Sequence, residues 1–494
     1  LRALAGHAYS VRVRGEHLRL ALPALALAAA LNALHPVGYV GGGFDDFHYL
    51  NAARCVADQG WCVPSDHWAR RFPLVLPMAL AIRLLGESRE ALWVVPALGA
   101  AVAIWLFVSV IARAFGARAA MLAGIVFAAT PLVAGRVLTP GIEMIELAFA
   151  LGGVALLQRH RPIAAGICFA LAVQCRPTML ALGPVLLLFL WRDPRSLARL
   201  AIGGAIPLAV EAVIYAIMVG DPLATWRLSL AHTRIPSSEL TGVDLTQSPL
   251  FNRDFIDGWA PAAGIKAHWS VKALINYLAS RELMLTNLFF LVTIALGWRA
   301  IDRRTRLMLA GAALFFVILV FALAIDPKPR MFLPVVAVQC AVIGSLALAV
   351  PRAVLALLLV ALGIGSIAAA YDWPDRREAA RIVATRLRAD PELQVEMYSA
   401  RSLALLGRDW PVWRGGGARV VSFDNHLFGM QGWTLRTEQV FVPEPAAITW
   451  LRDHRLFAGP RRPTYIATWE RKPDARDGGG HHTSANEITS APTD

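Results

Sequence analysis

The sequence predicts an all-α polytopic membrane domain of about eleven transmembrane helices, followed by a small extracytoplasmic α/β domain. Three observations predict it. Of the 494 residues, 56% are hydrophobic and 17% charged, against about 45–50% and about 25% in a soluble globular chain, and the mean hydropathy is +0.51. The apolar residues fall in uncharged blocks approaching the roughly 20 residues that a bilayer-crossing helix needs. The basic residues, 48 Lys and Arg against 35 Asp and Glu for a net charge of +13, gather between alternate blocks. In a soluble chain such a charge would suggest nucleic acid; here it follows the excess of Lys and Arg in cytoplasmic loops, and no nucleic-acid partner is read from it. Five cysteines are too few for a disulfide framework.

Residues 1–18 are read as a cytoplasmic N-terminus. The first block, Leu20–Leu34, follows Arg12, Arg14 and Arg19; it resembles a cleaved signal peptide, but the many spans behind it favour a retained helix. The other long blocks are Ala91–Ala112, Ala119–Gly135, Ala201–Gly220, Leu283–Trp298, Leu307–Ile325, Met331–Val350 and Ala353–Ala370. Ile142–Leu157, Ile163–Cys175 and Thr178–Trp191 are weaker. With the N-terminus inside, every alternate short loop is basic, among them those with Arg113 and Arg118, with Arg159 and Arg161, with Arg303, Arg304 and Arg306, and with Arg352. Residues 19–370 are then the membrane domain, with outer loops 37–90 and 221–281.

Against that pattern, Arg176 and Arg330 lie on the outer side. Each either anchors a helix end by snorkelling or joins a site for an anion such as phosphate, which the rigid guanidinium fork suits. The first outer loop reads Gly41-Gly-Gly-Phe-Asp45-Asp46-Phe-His48-Tyr49. Asp45, His48, Tyr49 and Ala52 share one face of a short helix. Asp45 is either its N-cap or a functional carboxylate at the membrane boundary. Leu74–Leu85 is too short to span and reads as interfacial or re-entrant. Cys55 and Cys62 either pair on the oxidising side or stay as thiols.

Glu143 and Glu146 stack on one face at the start of a helix. Glu143 is either a second outer acid of the site or a helix-start glutamate favoured by the N-terminal dipole. Glu211 lies mid-span with no charged neighbour in sequence, and is expected neutral and hydrogen-bonded. In loop 221–281, Trp226, His232, Trp259, His268, Trp269 and Tyr277 suit either sugar stacking or an interfacial belt. Beyond Tyr371, Asp375–Ala389 and Pro443–Leu456 read as helices, and Val395–Ser399, Arg419–Phe423 and Thr464–Thr468 as strands. Residues 371–474 therefore form the α/β domain, and 475–494 a disordered tail.

Several motifs together resemble the GT-C superfamily of membrane glycosyltransferases, in the branch of protein O-mannosyltransferases and the bacterial lipid A aminoarabinose transferase. Asp45-Asp46-Phe47-His48-Tyr49 resembles that branch's Asp-Glu-x-Arg-Tyr, and Arg71-Phe72-Pro73-Leu74 its Lys-Pro-Pro-Leu. Pro329-Arg330-Met331-Phe332-Leu333-Pro334 is similar to its Arg-Tyr-x-Leu-Pro, and Gly166 to Arg176-Pro177 to a further segment. The resemblance spans roughly residues 20–350. It implies a GT-C-like fold in a bacterial inner (plasma) membrane, with the site and the C-terminal domain on the periplasmic side. It further implies an inverting transfer of a sugar from a polyprenyl-phosphate donor to a hydroxyl acceptor, a glycolipid, polysaccharide or protein. Asp45, Asp46 and Glu143 are then the catalytic acids, and His48, Tyr49, Arg70, Arg71, Arg176 and Arg330 bind substrate and phosphate. The chain is expected to act as a monomer among membrane lipids. One departure matters: the aminoarabinose transferase has an acid, implicated in metal binding, where this chain has Arg70. No cofactor is certain; a divalent cation (Mg or Mn), if used, would sit on Asp45 and Glu143. A lipid or sugar transporter or flippase, for which Glu211 is the main support, and a polysaccharide polymerase or ligase are the rival readings.

Overall fold

The structure, a computed structural model, describes residues 13–34, 44–62, 70–137, 141–227, 258–260, 265–267, 269–280, 282–323, 329–372 and 377–396, and most of 399–472. It is mostly helical, with a small sheet near the C-terminus. The helices are α1 Val13–Leu34, α2 Phe44–Gln59, α3 Phe72–Leu85, α4 Arg89–Phe115, α5 Ala117–Ala129, α6 Glu143–Leu157, α7 Pro162–Cys175, α8 Leu182–Leu190 and α9 Pro194–Val219. They continue with α10 Trp269–Ala279, α11 Met284–Gly297, α12 Arg303–Ile318, α13 Leu333–Leu346 and α14 Arg352–Asp372. Short polar side chains start several of them: Ser88 accepts from the Ala91 amide (3.2 Å), Asp193 from Ser196 (3.1 Å) and Asp302 from Thr305 (2.8 Å), each satisfying an orphan first-turn donor.

Helix is found within each of the eleven apolar blocks. Among the described residues, four helical stretches are long and apolar enough to cross a bilayer by themselves: Glu90–Phe115, Pro194–Val219, Arg303–Phe321 and Pro329–Ala349. The bent pair Ala273–Ala279 and Met284–Ala300 would make a fifth. Of the other helices, α1 and α14 run over 22 and 21 residues and the rest are shorter; at Gly116 (φ 87°) the chain turns from α4 into α5.

The core is built around α4 and α13, with Phe107, Phe127, Phe289 and Phe332 among its fully buried side chains. A second cluster, holding Tyr49, Leu50, Leu74, Met78 and Ile145, fastens α2 and α3 to the start of α6. At the opposite extreme, α9 buries only Gly203, Glu211 and Tyr215. It meets α7 backbone to backbone. A Cβ on Gly166 would stand 2.0 Å from the Leu200 carbonyl, and one on Gly203 2.0 Å from the Ile163 carbonyl. This is the small-residue contact by which apolar helices approach closely in lipid.

Near the C-terminus, α15 Arg377–Ala389 and α16 Ala446–Asp453 accompany a four-stranded sheet ordered β3 Leu393–Val395, β4 Arg419–Phe423, β6 Thr464–Arg471, β5 Trp433–Val440. The β3–β4 pair is parallel and the other two antiparallel. Ala379, Ala380, Val383 and Leu387 of α15 cover Val395, Val421 and Ile466.

Three expectations change. Strand β5 was not expected; both its faces are largely exposed, so no alternation of apolar and polar residues announces it. The predicted strand Val395–Ser399 is instead Leu393–Val395, with 397–398 outside the described residues. Residues 221–281 are not loop throughout. They include the hairpin β1 Gly258–Ala260 with β2 Ile265–Ala267, and α10. Tyr277, read as a stacking or belt residue, is buried on α10, donates to Gln339 Oε1 (2.7 Å) and packs its ring against Phe316 and Phe332. His232, His268, Trp68 and the tail 475–494 lie outside the described residues, as do Gly41–Gly43.

Candidate active site

Five helix ends meet at one end of the bundle. Asp45 stands in the first turn of α2, Arg71 at the N-cap of α3, Glu143 and Glu146 in the first turn of α6, and Arg176 at the C-cap of α7. Arg330 lies in the 3-10 turn Pro329–Phe332 that leads into α13. Because α6 and α7 are consecutive and packed antiparallel, the start of one and the end of the other come level. The acids at α6's start and the cation at α7's end both suit the helix dipoles.

Arg176 is the inner hub. Its Nη2 donates to Glu143 Oε1 at 2.9 Å, and its Nη1 lies 3.1 Å from Glu146 Oε2, an ion-pair contact without hydrogen-bond alignment. All three side chains are at most 5% exposed. Burial works against the Arg176 charge, but Glu146 and Glu143 outweigh it and raise its pKa. Arg330 links this hub to the mouth: Nη2 donates to Asp45 Oδ2 (2.9 Å) and Nε stands 3.5 Å from Glu143 Oε1. Here the side chains are 30% and 25% exposed, so the Asp45–Arg330 pair is the accessible rim of a buried network.

Arg71 donates to the Tyr49 hydroxyl, with its guanidinium carbon 5.3 Å from the Tyr49 ring centroid. Burial lowers its pKa to about 10, helped by the nearby Arg176. Neither Arg71 nor Arg330 suits its position at a helix start, where each costs about 0.3–1 kcal/mol. Nε of both is buried with no hydrogen-bond partner among the described residues. Two cations held against the dipole, with donors unspent, form an arrangement ready for an anion. Tyr49→Phe is expected to lower affinity for a phosphate-bearing ligand roughly tenfold, the worth of one hydrogen bond to a charged group; isothermal titration checks it.

The structure thus brings Asp45, Glu143, Tyr49, Arg71, Arg176 and Arg330 together. Asp46 is buried and His48 half-buried on the same helix. Arg70 is not part of the group. The backbone turns sharply here, with the Phe72 amide donating to the Arg70 carbonyl (2.7 Å); Arg70 is directed away from the cluster, donates to the Thr225 carbonyl (2.9 Å) just beyond α9 and feels Glu211 and Tyr215 of α9. Burial lowers its pKa, and Glu211 partly restores it. Glu211 therefore does have a cation near it in space, and its Oε2 accepts from Gln174 (3.0 Å). Glu146, left without a role in the sequence reading, belongs to the network; its spacing from Glu143 was the available signal. Cys55 and Cys62 form a disulfide at the end of α2.

A divalent cation does not fit this donor set. Both oxygens-bearing candidates, Asp45 and Glu143, already face Arg330, and Glu143 faces Arg176 as well. Among the described residues, no group of three or more His, Cys, Asp or Glu side chains converges to hold a metal.

Residues 73–226 match the family described as dolichyl-phosphate-mannose-protein mannosyltransferase. That segment takes in Arg71-Phe72-Pro73-Leu74 in part, Glu143, Glu146 and Arg176. Two solved structures are similar: ArnT from Cupriavidus metallidurans bound to undecaprenyl phosphate, and the same protein in the apo state. Identities are 17% and 18% and TM-scores 0.47 and 0.46, over 75% of this chain in each case. The chain spans 66% and 65% of the length of those structures. No curated protein matches.

Proposed function

We propose that this protein is an inverting glycosyltransferase that moves a sugar from a polyprenyl-phosphate donor to a hydroxyl acceptor at the outer face of the inner membrane. One observation carries the reading: a carboxylate, Asp45, and a guanidinium, Arg330, share the accessible rim of a buried cluster holding two further arginines. The Cys55–Cys62 disulfide, one helix away from that rim, supports an oxidising and therefore outer location. Eleven spans with the N-terminus inside fit the alternation of basic loops.

The acceptor hydroxyl gives its proton to Asp45 as its oxygen attacks the anomeric carbon. The bond from that carbon to the phosphate oxygen breaks, and the electron pair leaves on the phosphate. A single displacement inverts the centre. The leaving phosphate gains negative charge and needs fixed cations more than a proton; Arg71 and Arg330 meet it with their unspent donors, and Arg176 adds charge from behind. In this arrangement the donor phosphate competes with Asp45 for Arg330, so binding of donor frees the carboxylate for its task. Glu143 and Glu146 hold Arg176 in place.

The rival reading as a transporter leaned on Glu211. With Gln174 and Arg70 as partners, its burial is accounted for without proton coupling. Arg330→Ala is expected to weaken donor binding by at least about tenfold, measured as the KM for a polyprenyl-phosphate sugar in detergent. Unchanged donor affinity would leave Arg330 a helix anchor and remove the phosphate site from the proposal.

A further inference from the structure

A cavity of about 290 Å³ lies inside the bundle among α4, α6, α7, α8, α12 and α13. Its wall is hydrocarbon, with Leu147, Leu151, Phe169, Phe189 and Phe315 among its residues; the polar side chains that line it are Gln158 and Arg304. Both are at the same end. Gln158 follows the last residue of α6 and donates to the Val110 carbonyl (3.2 Å); Arg304, in the first turn of α12, donates to the Ala114 carbonyl (2.9 Å). Gln158 Oε1 is buried without a hydrogen-bond partner among the described residues. Glu143, Arg176 and Arg330 do not line the cavity, so it is separate from the candidate active site and its polar end faces the opposite side of the membrane.

The dimensions fit one hydrocarbon chain. Leu147 to Leu157 covers ten helical steps, about 15 Å at about 1.5 Å each. A cavity of about 150 Å³ accommodates a six-carbon ring, so this one accommodates a chain of about twelve carbons. An amphiphile enters with its head at the polar end. There Arg303 and Arg306 are exposed on either side of Arg304, and Arg159 and Arg161 are exposed just past Gln158, with Asp302 the nearest acid in the chain. That surface selects a negative head. Between α8 and α12 the wall at Gly311 is closed by the side chains of Val185 and Phe189, and α8 exposes Leu187 and Leu188 on its outer side.

We propose that this cavity is a binding site for an anionic phospholipid from the leaflet opposite the active site, with one acyl chain between α8 and α12 and its phosphate on Arg304. The chain tip would then rest against Leu147 and Pro334, one turn from Glu143 and Arg330 respectively. The test is native mass spectrometry of the full chain extracted in mild detergent, with thermal unfolding in vesicles of phosphatidylglycerol and of phosphatidylcholine. The expected result is one tightly held anionic phospholipid and a higher melting temperature in phosphatidylglycerol. Arg304→Gln is expected to lower retention of that lipid roughly tenfold, the worth of one hydrogen bond to a charged group, and to remove the difference between vesicles. Ala312→Phe, which fills the cavity, is expected to lose the lipid altogether. Wild-type protein carrying no lipid, a neutral one or a polyprenyl phosphate would overturn the proposal. So would anionic lipid retained undiminished in Arg304→Gln, a readout that stands even if Ala312→Phe does not fold.

Discussion

Asp45→Asn is expected to lower sugar transfer about a thousandfold in a protein that remains folded. Asparagine keeps the shape and can still accept a hydrogen bond from Arg330, but it cannot take a proton at neutral pH; a positioned general base contributes about 10²–10⁴-fold. The pair sits at the rim, with Asp45 25% exposed, so water can solvate what the substitution leaves behind and the fold should tolerate it. The measurement is turnover of a polyprenyl-phosphate sugar by the purified variant, with its melting temperature as control. Turnover near wild type in folded Asp45→Asn would remove Asp45 as the base.

Arg176→Leu is expected to have the larger structural effect. It leaves the buried Glu146 without the cation it pairs with and the buried Glu143 with only the longer contact to Arg330 (3.5 Å). Removing one partner of a buried ion pair costs about 3–5 kcal/mol, because the remaining charge stays desolvated. Leucine at 176 together with Gln at 143 and 146 takes away the orphaned charges. The triple variant should therefore recover much of the stability and none of the activity. Thermal unfolding of the single and triple variants in detergent decides the matter: equal stability would mean that the network contributes little to the fold.

The bundle was legible from composition and block length, because lipid imposes one rule on every span and long uncharged runs announce it. The helix at Asp45–Ala52 was legible from the helical spacing of its residues, and the strand Arg419–Phe423 from its short apolar run, in which Val420, Val421 and Ser422 are buried in succession. Strand β5 was not, since neither of its faces is buried. The site was legible in part. Asp45, Arg71, Arg176 and Arg330 stood out as charges where topology and motif placed them, but which residues touch depended on how α6 and α7 return side by side. That is why Glu146 went unassigned, although its spacing was visible. Arg70 was misjudged for the complementary reason: two adjacent arginines look equivalent in sequence, while the backbone sends one to the cluster and the other to α9. Glu211 looked isolated for the same cause, its partners Gln174 and Arg70 being 37 and about 140 positions away.

The glycine contact between α7 and α9 has a bearing on the charged cluster at its far end. With Gly166 and Gly203 apposed at main-chain distance, no layer of rotamers lies between the two helices to absorb motion. They must shift as one piece. Arg176 closes one end of that piece and is thereby tethered to α9, which buries little else. A helix facing mostly lipid acts here as a splint, giving the guanidinium a stiffness that its own short helix could not supply.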